Sequence, residues 1–202
     1  KQHNLLSNHP DFEYAGVNPC AEEPLPAGGS CLLGSLNLAE FVTDDKRFDT
    51  YGFEKAVIEA VRALNEVLDE GLILHPLQEQ QDSVRDWRQI GLGVFGIADM
   101  LIKMEIPYGS MDSLDLCDMI AADMIDTAIY ASAMLAKEFG PYPKYDRKTI
   151  MENEFFVHSA YSSTDKAVEL NGLRNSQLLT IAPTGSLSTM LGVSGGIEPM
   201  YD

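Results

Sequence analysis

The chain has 202 residues and sets 14 basic against 31 acidic side chains, a formal net charge of −17. So acidic a sequence, with no clustered basic face, excludes a groove that tracks a nucleic-acid backbone, and no apolar run approaches the roughly 20 residues of a membrane span. Three cysteines at uneven spacing do not make a secreted disulfide framework, so a cytoplasmic setting is expected. The length allows a substantial core. A start at Lys1 and an end at Tyr201-Asp202 are what an excised piece of a longer protein would show.

Residues 1–17 read as a polar lead-in with a turn at Asn8-His9-Pro10-Asp11. A loop over 18–31 follows, built on Asn18-Pro19-Cys20-Ala21-Glu22, with Cys31 eleven positions after Cys20. Pro19 fixes its own φ and disfavours helix at Asn18, so the segment reads as extended or turned. In an extended run, side chains two apart share a side, which would gather Asn18, Cys20 and Glu22 at one spot. The apolar run Cys31–Phe41 fits a strand or a buried helix equally well. Over 52–70, Phe53, Ala56, Val57, Ala60, Val61, Leu64, Val67 and Leu68 repeat at helical spacing, with Asp49 or Thr50 as cap and Gly71 as the glycine stop.

A polar stretch, Gln78–Arg88, leads into the strand-like Ile90–Gly96 and a helix at Ile97–Met104 closed by Pro107. Residues 113–139 form the longest predicted helix, stopped by Gly140-Pro141. Lys144–Ser159 reads as irregular, 163–172 as helix and Leu178–Ala182 as strand. The turn Pro183–Ser188 follows, then a short apolar turn into the loop Gly192–Pro199. Helices alternating with short apolar runs indicate an α/β fold.

Nothing basic flanks Cys20 to depress its thiol pKa, so a thiolate nucleophile is poorly supported. A neutral thiol beside the Glu22 carboxylate suits radical or redox chemistry, although an inert loop cysteine fits the local residues too. Zinc does not fit, because the nearest cysteine lies eleven positions away. Cys117 reads as core, and His75 and His158 as ordinary histidines. Gly91-x-Gly93-x-x-Gly96 matches a dinucleotide fingerprint but lacks the acid expected about 20 residues on, and tight helix–strand packing explains it as well. Ala182-Pro183-Thr184-Gly185-Ser186-Leu187-Ser188 offers hydroxyls and backbone N–H groups at a helix start, an anion seat without the lysine of a Walker loop. A plain Pro-Thr-Gly turn fits those residues equally.

Together, Asn18–Leu38, Arg88–Ser110 and Arg174–Pro199 resemble the catalytic subunit of ribonucleotide reductase. The resemblance implies that residues 1–202 form one partial catalytic domain, the C-terminal part of a ten-stranded α/β barrel with a central finger loop at 18–31. It implies that Cys20 holds the thiyl radical that removes the 3′-hydrogen of a ribonucleotide. Glu22 would act as general base on the 3′-hydroxyl, and Asn18 would hydrogen-bond the substrate or Glu22. Cys31 would be one of two thiols that end as a disulfide. Pro183, Thr184, Gly185, Ser186 and Ser188 would seat the substrate phosphates, and no metal is expected on this segment.

The implied partners are a ribonucleoside di- or triphosphate, a thioredoxin- or glutaredoxin-type reductant, the rest of the catalytic subunit and a second copy in a homodimer; neither nucleic acid nor membrane is expected. The Asn-Pro-Cys form resembles the adenosylcobalamin-dependent branch, the alternative radical source being a diiron-type small subunit. The partner of Cys31 would lie upstream, since Cys117 inside a helix does not fit that role. The allosteric N-terminal region and the C-terminal tyrosines and shuttle cysteines of the family have no counterpart here, and a fragment missing half the barrel is expected to be inactive alone. Two rival readings are a cysteine hydrolase pairing Cys20 with His75 or His158, and a nucleotide-binding module built on Pro183–Ser188 without catalysis.

Overall fold

A computed structural model describes residues 4–200. The chain opens with a small antiparallel hairpin, β1 (Gly16–Val17) and β2 (Pro24–Leu25), followed by β3 (Leu33–Asn37), a 3-10 turn at Leu38–Phe41 and α1 (Thr50–Leu74). Next come α2 (Gln78–Trp87), β4 (Gly91–Phe95), α3 (Ile97–Lys103) and α4 (Met111–Phe139). The helices α5 (Arg147–Met151), α6 (Glu154–Ser159), α7 (Ser162–Asn171) and α8 (Gly185–Leu191) complete it.

The centre is β4, buried along its whole length. It pairs in parallel with β3, from Leu33 opposite Gly91 to Asn37 opposite Phe95. On its other edge Leu92 pairs with Leu179; the Leu92 N–H donates to the Leu178 carbonyl at 2.8 Å and the Thr180 N–H to the Leu92 carbonyl at 3.0 Å. The predicted strand at 178–182 is therefore a short parallel partner of β4. Of the fingerprint glycines, Gly96 follows the strand as the left-handed cap of α3 (φ 72°), and two lie within it: a Cβ on Gly91 would meet the Thr180 side chain and Leu33, and one on Gly93 would land on the Thr180 carbonyl oxygen. These two serve close strand approach. The fold is mixed α/β, and the described strands do not close into a barrel.

Helix α1 starts at Asp49, whose Oδ1 accepts the Gly52 N–H at 3.0 Å, and buries Phe53, Val57, Val61, Leu64 and Leu68. It packs against α4, which buries Ile120, Met124, Ala128, Ile129 and Leu135. At 29 residues α4 is long and apolar enough to cross a membrane. Here it is a core helix, covered by α1 on one side and α7 on another.

Three expectations change. Gly71 does not stop α1, which runs on to Leu74. The polar stretch at 78–88 is helical and ends where Arg88 turns left-handed, with φ 46°. The segment read as irregular holds α5 and α6, started by Asp146 and Asn153, whose side chains accept the N–H groups of Thr149 at 2.7 Å and Phe156 at 3.0 Å. Helices of one or two turns are too short to display a 3.6-residue period, so only their capping residues mark them.

A buried polar cluster locks the strand layer to the helices. Asn175, fully buried, donates to Asn65 Oδ1 at 3.0 Å and to the Arg88 carbonyl at 2.9 Å, and accepts from Ser132 Oγ at 3.1 Å. Arg88 in turn donates to Asn65 Oδ1 at 3.1 Å and pairs with Asp69 on α1.

Two glycine substitutions are expected to act in opposite directions. Gly93→Ala forces β4 away from Thr180 and lowers stability by about 1–3 kcal/mol or more. Gly71→Ala, whose Cβ meets nothing within 4 Å inside a helix, raises it by about 0.5–1 kcal/mol. Urea midpoints of the two variants decide both.

Candidate active site

The loop between β1 and β2 is a hairpin tip. The Asn18 N–H donates to the Glu23 carbonyl at 3.1 Å, and the Ala21 N–H to the Asn18 carbonyl at 2.9 Å. Asn18–Ala21 is thus a β-turn with Pro19 in the second position, where its fixed φ fits, and Cys20 in the third. Ala21 follows at φ 65°. The extended arrangement that would align Asn18, Cys20 and Glu22 is not what forms. The turn sends Asn18 inward, 7% exposed, where its Oδ1 accepts the Glu23 N–H at 2.9 Å and its Nδ2 donates to Cys31 Sγ at 3.4 Å.

Cys20, exposed, and Glu22, half-buried with Oε2 unpaired, line a cleft of about 690 Å³. Its far wall is Pro183, Gly185, Ser188 and the loop Gly192–Met200. Two residues more than 150 positions apart are held together by Thr180, whose hydroxyl donates to the Glu22 carbonyl at 2.7 Å. The far wall is braced from below. Thr184, left-handed at φ 51°, accepts the Gly196 N–H on its hydroxyl at 2.9 Å. Ser194 accepts the Ala98 N–H on Oγ at 3.2 Å and donates its own N–H to Asp99 Oδ2 at 2.7 Å. Of the predicted phosphate seat, Pro183, Gly185 and Ser188 line the cleft. Thr184 braces the glycine loop, Ser186 lies exposed outside the cleft wall, and the Ser188 hydroxyl donates to the Gly185 carbonyl at 3.1 Å.

Cys31 is a free thiol outside this cleft. It borders a separate pocket of about 170 Å³ with Val67, Leu68, His75 and Gln89. Beside it lies Glu23, 0% exposed, with neither carboxylate oxygen hydrogen-bonded. The Cys31 thiol lies near enough to perturb that carboxylate, without the geometry of a formed hydrogen bond. Burial raises the Glu23 pKa, the thiol opposes the rise and the Glu22 charge adds to it. Burial, and then Glu23, push the Cys31 thiol up to about 12.

Sequence reasoning passed over Glu23, Thr180 and Ser194. For Glu23 a signal existed: neighbours on an extended segment point to opposite sides, so a Glu22 facing the cleft turns Glu23 inward. Among the described residues no imidazole lines the Cys20 cleft; His75 borders the Cys31 pocket, and His158 Nδ1 sits 2.6 Å from the Glu154 carbonyl oxygen. No described group of three His, Cys, Asp or Glu side chains could hold a metal ion.

A thiol and a carboxylate on a hairpin tip thus share one cleft with a hydroxyl-bearing turn in a mixed α/β domain. The chain belongs to the ribonucleotide reductase barrel-domain family, whose model matches residues 5–202. It is 37% identical over 198 residues to a vitamin B12-dependent ribonucleoside-diphosphate reductase of Thermoplasma acidophilum, covering 98% of this chain and 23% of that protein. A protein of the same description from Mycobacterium tuberculosis is 36% identical over 186 residues, 92% of this chain and 24% of its own length. The large subunit of a ribonucleoside-diphosphate reductase from Caenorhabditis elegans is 32% identical over 178 residues, 84% of this chain and 22% of its own. The chain thus spans roughly a quarter of the relatives it matches.

Burial of Glu23 has a measurable consequence. The folded state holds its proton to a higher pH than the unfolded chain, so above the ordinary value near 4.5 the native state binds more protons. Stability therefore falls as pH rises through that window. Glu23→Gln, which keeps the shape and removes the charge, is expected to flatten this slope and to be the more stable protein at neutral pH. Urea midpoints taken across the acid-to-neutral range, with and without the substitution, check it.

Proposed function

We propose that this chain is the finger-loop part of the catalytic barrel of a ribonucleotide reductase, an enzyme that makes 2′-deoxyribonucleotides for DNA synthesis. The observation that carries the reading is the shared cleft: Cys20 and Glu22 on one wall, Pro183, Gly185 and Ser188 on the other. A nucleotide spanning it would set its phosphates on the turn before α8, where first-turn N–H groups lack helical acceptors, and its ribose against the hairpin tip. The relatives' names favour a ribonucleoside diphosphate as substrate.

In this reading the Cys20 sulfur, as thiyl, takes the hydrogen atom from C3′. Glu22 accepts the 3′-hydroxyl proton, and the 2′-hydroxyl leaves as water with a proton from a pair of thiols. The second thiol hydrogen goes to C2′, and the pair ends as a disulfide with its two electrons in the substrate. Glu22 returns its proton to the 3′-oxygen, and Cys20 then returns the hydrogen atom to C3′. Placing base and sulfur two residues apart on one rigid tip is the kind of positioning that lowers such barriers. Cys31 would belong to the thiol pair with a cysteine upstream of Lys1. Asn18, committed to the Glu23 N–H and to Cys31, would position the loop and that thiol. The described strands would be part of a ten-stranded barrel completed by the rest of the protein.

The radical source favoured by the two B12-dependent relatives is adenosylcobalamin. When bound, it would supply the carbon radical that takes the hydrogen atom from the Cys20 thiol. What fits it on this chain is Cys20 itself, solvent-exposed at the tip of the hairpin; the remaining residues are not assigned to the corrin. A dithiol protein reductant, the remainder of the subunit, a second copy and a cytoplasmic setting complete the proposal.

In the full-length protein that carries this segment, Cys20→Ala should abolish deoxyribonucleotide formation while leaving nucleotide binding intact. Glu22→Gln should lower turnover by about 10²–10⁴-fold. Steady product formation by the Cys20→Ala protein sinks the reading.

A further inference from the structure

The Glu22 carboxylate is not anchored on its buried side: Oε2 has no hydrogen-bond partner. Its place in the cleft is therefore set by the backbone that carries it. That backbone belongs to a hairpin whose strands, β1 and β2, have two residues each, and so small a hairpin is marginal on its own. Ala21 at the tip is left-handed at φ 65°, a conformation that a residue with a side chain keeps only where its surroundings hold it.

What holds the tip is Thr180. Residues 14–31 hydrogen-bond with one another, and among the described residues a single hydrogen bond joins them to the rest of the chain. It runs from the Thr180 hydroxyl to the Glu22 carbonyl at 2.7 Å. Thr180 is itself fixed twice. Its N–H donates to the Leu92 carbonyl at 3.0 Å, which ties its backbone to β4. A Cβ on Gly91 would come within 2.6 Å of Thr180 Cγ2, so the threonine methyl fills the space that the glycine leaves. A β-branched side chain has few χ1 choices, and with its methyl seated there the hydroxyl is directed at the hairpin. Three residues further along, Pro183 opens the turn on the opposite wall of the cleft.

We propose that Thr180 is a positioning residue for the reaction: its hydroxyl, seated by its methyl on Gly91, sets the hairpin tip with Cys20 and Glu22 against the turn at Pro183–Ser188. The proposal rests on the reductase reading, which assigns the thiyl and the base to that tip. Thr180 does not line the cleft and moves no proton; it acts through the tip. Both walls are tied to one strand end, so a nucleotide seated on the turn meets sulfur and carboxylate in register. Gly91, part of a spacing that resembled a dinucleotide fingerprint, serves the same end by leaving room for the methyl.

The test uses the full-length protein that carries this segment. Thr180→Val keeps the shape and the methyl but removes the donor. Because a misplacement of about 1 Å can cost about 10²-fold, kcat is expected to fall by about 10–10²-fold. KM for the nucleotide should stay unchanged, since the turn and its strand are untouched. Thr180→Ser keeps the donor and should restore most of the loss. An unchanged kcat in the valine variant, or a loss that serine does not restore, overturns the proposal.

A second readout needs no turnover. The N–H groups of Asn18, Ala21 and Glu23 are bonded within the turn. Their amide exchange should quicken by about threefold to tenfold in the valine variant, the worth of one hydrogen bond, while the β4 amides keep their rates. Unchanged exchange at the tip overturns the proposal as well. If exchange quickens throughout β4, the valine has loosened the sheet, and Thr180→Ala takes its place under the same criteria. An unsubstituted protein that makes no deoxyribonucleotide counts against the reductase reading, and exchange at the tip then decides by itself whether Thr180 holds the hairpin.

Discussion

The close parallel pairing of β4 with a neighbour on each side is the constraint from which the cleft follows. Parallel strands buried on both faces need long crossovers covered by helices, and here α1 and α2 lie between β3 and β4, while α3 to α7 lie between β4 and Leu179. Those crossovers bring residues 18–37 and 178–199 to one place. Gly93 sets the spacing, because any side chain there would occupy the Thr180 carbonyl. Thr180 then uses its hydroxyl, which points off the ladder, to hold the Glu22 carbonyl at 2.7 Å. One residue thus serves the sheet with its backbone and the hairpin with its side chain.

Behind the sheet, the cluster of Asn175, Asn65, Ser132 and Arg88 fixes how the helices meet the strands. Its members bond one another through Asn175, Asn65 and Ser132, while Arg88 Nε is buried without a partner. The Arg88 side chain is 5% exposed and its partner Asp69 is 51% exposed. Removing that carboxylate would leave the buried guanidinium without its charge partner, a destabilising change softened by the exposure of Asp69. Arg88 and Asn175 both lie in segments that resemble the reductase family. Their contacts are to helices and backbone, so those parts of the signature record architecture and not chemistry.

Much of this was legible in the residues. The periodicity of 52–70 and 113–139 gave α1 and α4, and Pro19 gave the turned loop. What escaped had physical causes. The helices α5 and α6 are set by Asx caps and are too short for periodicity to show. Gly71 resembles a stop, yet packing of Leu68 and its neighbours carries α1 three residues beyond it. The choice between strand and buried helix for 31–41 was settled by pairing with β4, a contact of long sequence separation. The expected convergence of Asn18, Cys20 and Glu22 assumed an extended chain, whereas the Asn18–Ala21 hydrogen bond makes a turn and reverses Asn18. Cys20 and Glu22 came out together in the cleft, with Cys31 on the far side of Asn18.

That separation makes Asn18 the joint between two chemical faces of one hairpin. Its backbone carbonyl closes the turn that aims Cys20, and its side-chain amide reaches Cys31. An N–H to sulfur contact at 3.4 Å is a weak bond on its own. Its partner contact, Oδ1 to the Glu23 N–H, is buried and therefore costly to leave unmade. The asymmetry matters: the tip carrying Cys20 is held by backbone and buried contacts of Asn18 that do not depend on the Cys31 side chain.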